Sequence, residues 1–198
     1  MLKELLKDKK FLKILKDSLN LEIIDIILFG SVTRGKENPE DIDLLILYVS
    51  GVKDITKASY EIRKKVKKFN KKIHSIPLHY SKLFDPGFLA RESFLSEGFS
   101  IRENKFIAQG LGYKNLIIFN YELKGLNKSQ RMQFYYSLNG RKNNEGILAK
   151  NKCYKFSDRI ILSPLESSEL VKEFLEKWKV KFTQFPILIP ERVMKYKI

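Results

Sequence analysis

Phe29-Gly30-Ser31-Val32-Thr33-Arg34-Gly35, a polar stretch from Lys36 to Glu40, and then Asp41-Ile42-Asp43-Leu44-Leu45-Ile46-Leu47 form the segment on which the fold of this chain turns. One apolar run, Ile23 to Phe29, ends at Gly30-Ser31, and a second opens on two carboxylates about ten residues later. Side chains alternate along a strand, so Asp41 and Asp43 share one face while Ile42 packs on the other. Two carboxylates on one strand face suit Mg²⁺, which takes oxygen ligands and completes its shell with waters and substrate phosphates. Gly30 lets backbone approach a phosphate, and Ser31 offers an N–H and a hydroxyl where a helical turn begins. The segment reads as a phosphate-and-metal site built on one β–turn–β unit.

This ordered set resembles the signature of the DNA polymerase β-type nucleotidyltransferase superfamily, which includes the CCA-adding enzymes, poly(A) polymerases and small prokaryotic nucleotidyltransferases. The matching residues are Phe29-Gly30-Ser31, Asp41-Ile42-Asp43 and Leu44, and Arg34-Gly35 matches an embellishment of the small prokaryotic members. The resemblance covers about the first half of the chain. It implies transfer of a nucleoside monophosphate from a nucleoside triphosphate to a hydroxyl acceptor, with release of pyrophosphate. By the same resemblance Asp41 and Asp43 are the catalytic residues and hold two Mg²⁺ (or Mn²⁺) ions, while Gly30, Ser31 and Arg34 bind the nucleotide. The superfamily adds a third carboxylate on a later strand. The matching segment here, Ile73 to Tyr80, contains no acid and offers His74 or His79 instead. Imidazole is a competent base near neutral pH, and the sequence does not choose between the two. Asp85, before Pro86, reads as a helix N-cap with Pro at the first helical position. Two alternatives stay open: a nucleotide- or RNA-binding chain without catalysis, and a transferase that modifies a small molecule or a protein.

The chain has 198 residues and a formal net charge of +15. Such an excess of Lys and Arg attracts polyanions and steers their encounter, which makes RNA the expected acceptor. The densest run is Arg63-Lys64-Lys65, Lys67-Lys68 and Lys71-Lys72, on a helix whose Ile62, Val66 and Phe69 face inward at helical spacing. Either a solvated helix face or a track for phosphates accounts for it. No run approaches the roughly 18 apolar residues needed to cross a membrane. Leu2, Leu5, Leu6, Leu12, Leu15 and Leu19 mark an amphipathic N-terminal helix that packs on the first strand. Cys153 is the only cysteine, so no intramolecular disulfide and no Cys-based metal site are expected, and the location expected is cytoplasmic. The oligomeric state stays open.

The first half is expected to run helix (about 2–18), strand (22–29), Gly-Ser turn, strand (42–49), helix (53–70), strand (73–80) and helix (86–97), an α/β arrangement with a covered, mixed sheet. A hairpin from Phe99 to Ile107, turning at Glu103-Asn104, leads to a glycine-marked joint at Gly110-Leu111-Gly112. The domains expected are therefore 1–110, with the nucleotidyltransferase fold, and 113–198, an α+β domain. The second reads as a strand (Leu116 to Tyr121), a helix capped by Asn127 and Gln130, short strands at Gly146–Ala149, around Tyr154 and at Arg159–Leu162, a helix opened by Ser163-Pro164-Leu165-Glu166, and a last strand from Lys181. That order is β-α-β-β-α-β, the ferredoxin-like pattern, with Pro186 tolerable because the last strand lies at an edge. Many RNA-binding domains share the arrangement. Arg141 and Lys142, in a polar loop near Tyr135, Tyr136 and Tyr154, join Arg63, Lys64, Lys65, Lys67 and Lys68 as candidate nucleic-acid contacts.

Overall fold

The run from Ile23 forms strand β1 (Ile23–Phe29) and the run from Asp41 forms β2 (Asp41–Tyr48), paired antiparallel with Phe29 opposite Asp43 and Ile27 opposite Leu45. Helix α1 (Leu2–Leu5) and helix α2 (Lys9–Asp17) precede them. They replace the single helix expected over 2–18, because Asp8 accepts the backbone N–H groups of Lys10 and Phe11 and caps a new helix. Helix α3 (Ile55–Val66) crosses over to β3 (Lys72–His79), which lies parallel to β2. The computed structural model describes residues 2–36, 39–49, 54–67, 72–142 and 144–194; Lys68, Phe69 and Lys71 lie outside them.

The chain divides into two compact units, Met1–Leu111 and Gly112–Ile198. In the first, a short 3-10 turn at Tyr80–Phe84 is followed by helix α4 (Arg91–Glu97), strands β4 (Phe99–Ser100) and β5 (Lys105–Phe106), and helix α5 (Ile107–Gly110). The sheet order is β3-β2-β1-β4-β5, mixed because only β2 and β3 run parallel. Ile26 and Leu28 of β1 and Ile42, Leu44 and Ile46 of β2 form one core with Phe11 and Leu15 of α2 and Ile62 and Val66 of α3. Each such side chain contributes about 1.5–3 kcal/mol by leaving water. The opposite face carries Ile27, Leu45 and Leu47, also buried, together with Asp25, Asp41 and Asp43. Asp25 is buried with the apolar side chains of this face, whereas Asp41 and Asp43 stay partly open, which is what places these two at a site.

A second expectation for this unit, after the single helix over 2–18, is corrected. No helix begins at Pro86: Asp85 accepts the Gly87 N–H at 2.8 Å and pairs with Lys82 at 2.8 Å, closing a turn on itself, and α4 starts only at Arg91. Asp offers backbone donors this non-helical alternative as readily as it caps a helix.

The second unit contains β6 (Tyr113–Glu122), α6 (Lys128–Asn139), a small hairpin of β7 (Gly140–Arg141) and β8 (Asn144–Glu145), α7 (Ile147–Lys150), β9 (Tyr154–Ser157), β10 (Ile160–Pro164), α8 (Ser168–Lys177), β11 (Lys181–Pro190) and α9 (Glu191–Met194). Asn127 and Gln130 make the reciprocal capping box that opens α6. The strand expected at Gly146–Ala149 is helix α7 instead, since a four-residue apolar run carries too short a period to separate the two. Helix α8 starts at Ser168, after a 3-10 turn over Leu165–Ser167, because Ser163 is still paired in β10 with Ile117. The four long strands lie in the order β11-β6-β10-β9, all antiparallel, so β10 separates β6 from β9 and β11 is an edge that tolerates Pro186. Phe134 sits at the centre of this core, in ring contact with Tyr121, Phe174 and Trp178. Among the described residues no helix is long and apolar enough to cross a membrane.

Candidate active site

Strand β1 ends at Phe29, and Gly30 turns the chain with φ +78°, a left-handed conformation that side-chain-bearing residues rarely adopt. A Cβ built on Gly30 would stand 2.6 Å from Oδ2 of Asp43. The glycine thus makes room for the Asp43 carboxylate itself, which the Phe29–Asp43 pairing brings beside the turn. The turn is tightened by the Thr33 hydroxyl and by the N–H groups of Thr33 and Arg34, all donating to the Gly30 carbonyl.

Asp41 and Asp43 emerge on one face at the start of β2, and the Asp43 side chain is 23% exposed. Burial, and then the negative charge of Asp41, push the Asp43 carboxyl above its ordinary 3.8, while His74 and Arg34 pull it back. Two partly buried oxygen-donor groups that repel each other are a setting that a divalent cation relieves. Among the described residues no group of three or more His, Cys, Asp or Glu side chains is arranged to hold a metal, so a third carboxylate does not join the pair.

The position beside the pair is taken by His74. Parallel pairing sets His74 against Asp43 and Lys72 against Asp41, and the His74 Nδ1 lies 3.4 Å from the Asp43 Oδ1. His79 is elsewhere: it pairs with Tyr48, stacks edge-on against that ring at 5.3 Å, and its Nδ1 meets the Ser81 hydroxyl at 2.8 Å. Five residues along a strand is about 17 Å, and an odd offset points to the opposite face. The register therefore puts His74, and not His79, beside the two carboxylates.

Arg34 is held by Glu97, with its Nη1 donating to Oε2 at 2.8 Å and the acid only 10% exposed. This pair anchors the guanidinium close enough to Asp43 to lower its pKa. Glu97 is a contributor that sequence reasoning does not supply. It ends α4 just before Gly98, and nothing in its local pattern points to a residue 63 positions away.

Of the candidate nucleic-acid contacts, Arg63, Lys64 and Lys67 line one depression together with Lys72, whereas Lys65 is exposed outside its lining and Lys68 lies outside the described residues. In the second unit the Arg141 guanidinium lies over the Tyr136 ring at 4.5 Å, Lys155 over Tyr135 at 5.7 Å and Lys114 over Tyr154 at 4.9 Å. Lys142 sits exposed in a left-handed conformation at the tip of the hairpin.

The family model described as nucleotidyltransferase domain matches residues 8–132. The chain belongs to the nucleotidyltransferase domain family. As a nucleotidyltransferase it is placed among enzymes that transfer nucleoside monophosphates. The match begins at the cap of α2, takes in both carboxylates and ends within α6. Among curated proteins none matches the nucleotidyltransferase chain. Similar solved structures include a toxin–antitoxin with AMP-PNP, at 19% identity and TM-score 0.37 over 53% of this chain and 84% of the other. Another is a tri-AMPylated Shewanella oneidensis HEPN toxin in complex with MNT antitoxin, at 20% identity and TM-score 0.35 over 56% and 84%.

Proposed function

We propose that this nucleotidyltransferase moves a nucleoside monophosphate from a nucleoside triphosphate to a hydroxyl acceptor at Asp41 and Asp43, with RNA as the acceptor. The observation that carries the reading is the Asp43 carboxylate set into the space left by Gly30, beside Asp41 on the same strand face. The pair fits Mg²⁺ or Mn²⁺: both donors are carboxylate oxygens, and such ions complete their shell with phosphate oxygens and water. The family resemblance implies two ions on the pair. When bound, a cation of this kind neutralises charge that develops on the transferring phosphoryl group. Gly30 and Ser31 receive the triphosphate at the turn, and Arg34, oriented by Glu97, sets a fixed positive charge beside it. His74 takes the proton of the acceptor hydroxyl, a role supported by its Nδ1 lying 3.4 Å from the Asp43 Oδ1.

RNA is favoured as acceptor by the +15 net charge. We read residues 1–110 as the nucleotidyltransferase domain and 113–198 as a ferredoxin-like domain that contributes RNA contacts through Arg141 and Lys142, on the strength of its interleaved strand order. The second reading, a nucleotide-binding chain without catalysis, is favoured by His74 standing where a third carboxylate is expected. One experiment separates them: incubation with each labelled nucleoside triphosphate, Mg²⁺ or Mn²⁺, and either total RNA or total protein. Label on RNA that disappears in Asp43→Asn supports the proposal. Label on protein keeps the transferase and replaces the acceptor, and no label with any acceptor leaves the binding chain.

A further inference from the structure

The cations near the end of α3 are gathered into one place by the fold. Arg63, Lys64 and Lys67, from the last turn and cap of α3, and Lys72, the first residue of β3, line a depression of about 520 Å³ with Tyr60 and Ile73. These described lining residues include four cations and no carboxylate. Tyr60 is 51% exposed, and its ring carries the Arg63 guanidinium 5.7 Å from its centroid. A second depression of about 460 Å³ shares Tyr60 and Arg63 as its wall and continues over Ser59 and Ser75, whose hydroxyls meet at 3.0 Å. The helix dipole accounts for basic residues in the last turn of α3. It does not account for Lys72, which lies on a strand.

The position relative to the carboxylates is set by register. β3 is the edge of the sheet, and Lys72 pairs with Asp41, one strand spacing or about 4.8 Å away. Ser59 meeting Ser75 puts α3 on the face of β3 opposite to that of Lys72 and His74. The depression therefore lies on the α3 side of the sheet, at the end of β2 and β3 where Asp41 and Asp43 begin, and Lys72, at its lip, shares the face of the two carboxylates.

We infer that this groove holds the acceptor end of a single-stranded polynucleotide, its phosphates on Arg63, Lys64, Lys67 and Lys72 and a base against the Tyr60–Arg63 stack, and delivers the terminal hydroxyl to Asp41 and Asp43. Flexible cations beside an exposed aromatic are the elements that bind single strands without reading sequence. The delivery rests on the transferase reading; the binding does not.

The test is fluorescence anisotropy of a labelled oligouridylate, and of the matched oligodeoxythymidylate, with the full chain over a salt series. Each phosphate contact contributes about −0.7 to the slope of log affinity against log salt, so Arg63→Gln/Lys64→Gln/Lys67→Gln/Lys72→Gln should flatten it by up to about 2.8. At fixed moderate salt the affinity should fall at least tenfold. A charge-matched control on α2, Lys9→Gln/Lys10→Gln/Lys13→Gln/Lys16→Gln, should lose less than twofold. Equal losses on RNA and DNA assign the groove to the shared phosphate backbone, as inferred. Equal losses in groove and control variants would make the binding diffuse and overturn the inference, as would duplex RNA binding as tightly as the single strand. Asp43→Asn keeps the two readings apart: wild-type protein that binds through the groove but transfers nothing refutes the transferase and spares the groove. Transfer to RNA that survives the groove variant at unchanged KM for RNA refutes the groove and spares the transferase.

Discussion

Gly30 and Asp43 are one device seen from two residues. A methyl group at position 30 would meet Asp43 Oδ2 at 2.6 Å on a backbone with φ +78°, so Gly30→Ala should cost about 1–3 kcal/mol, the range for a side chain forced into a strained region. Urea unfolding checks the stability, and calorimetric titration should show metal-dependent nucleotide binding down at least tenfold. Pairing Gly30→Ala with Asp43→Ala should recover part of the stability loss, because the second change removes the atom that the first strikes. The Asp43 carboxyl is raised above 3.8 by burial and by Asp41. A group raised on folding contributes stability that is fully present below the unfolded value and is lost as pH rises through the folded one. Asp43→Asn removes that charge without removing volume. The variant should melt higher than wild type at neutral pH, converge with it towards pH 4, and bind no nucleotide in the presence of Mg²⁺. A lower melting temperature at pH 7 would show that the Asp43 charge is held favourably in the folded chain, against its repulsion by Asp41.

Between elements, the first unit is laced by polar contacts that its strands do not announce. Asp25, buried on β1, accepts from the Ser100 hydroxyl at 2.5 Å, from the Arg102 N–H at 3.0 Å and from the Ile26 N–H at 2.8 Å. Arg102 returns the contact, donating through its side chain to the Ile24 carbonyl. These bonds tie the edge hairpin of β4 and β5 to the central strand, and β4 follows directly from the helix that carries Glu97. Asp25→Ala strands several buried donors at once and should cost about 2–4 kcal/mol in urea unfolding. Asp25→Asn keeps one oxygen to accept the Ile26 and Arg102 N–H groups, and its amide donates to the Ser100 oxygen. It should therefore cost under about 1 kcal/mol, since burial already pushes the Asp25 carboxyl upward. Glu97→Gln is the corresponding test one element earlier. Without the full charge holding Arg34, the KM for the nucleoside triphosphate should rise several-fold while kcat changes less, and Glu97→Asp should not restore it because the shorter side chain does not reach.

For the molecule as a whole, charge and partition into units carry the argument. Each unit has its own buried cluster, around Ile26, Leu28 and Ile42 in the first and around Phe119, Phe134 and Tyr121 in the second. A chain ending after Gly112 should therefore give a cooperative melt and keep nucleotide binding within about threefold of the full protein. On the proposed reading, in which Arg141 and Lys142 contact RNA, most of the RNA affinity should go with the removed part, leaving the salt slope of the α3 groove. If the shortened chain instead retains the full RNA slope, the second unit has a different role, such as dimerisation.

The alternation that places Asp41 and Asp43 on one face, the glycine between two apolar runs, and the capping box of Asn127 and Gln130 were all legible in residue types and spacing. These are local properties: a period of two, a turn that needs φ above zero, a cap three residues from its partner. Where local chemistry allowed two answers it misled, as at Asp85, which closes a turn where a helix cap was expected, and at Ile147–Lys150, a helix where a strand was expected. The choice of His74 over His79, the hold of Glu97 on Arg34 and the strap from Asp25 to Ser100 came only from the tertiary structure. The last two join residues 63 and 75 positions apart, and the first follows from the register of a parallel pair joined by a crossover helix. Sequence spacing encodes neither, because pairing across a sheet is decided by which whole faces can be buried together.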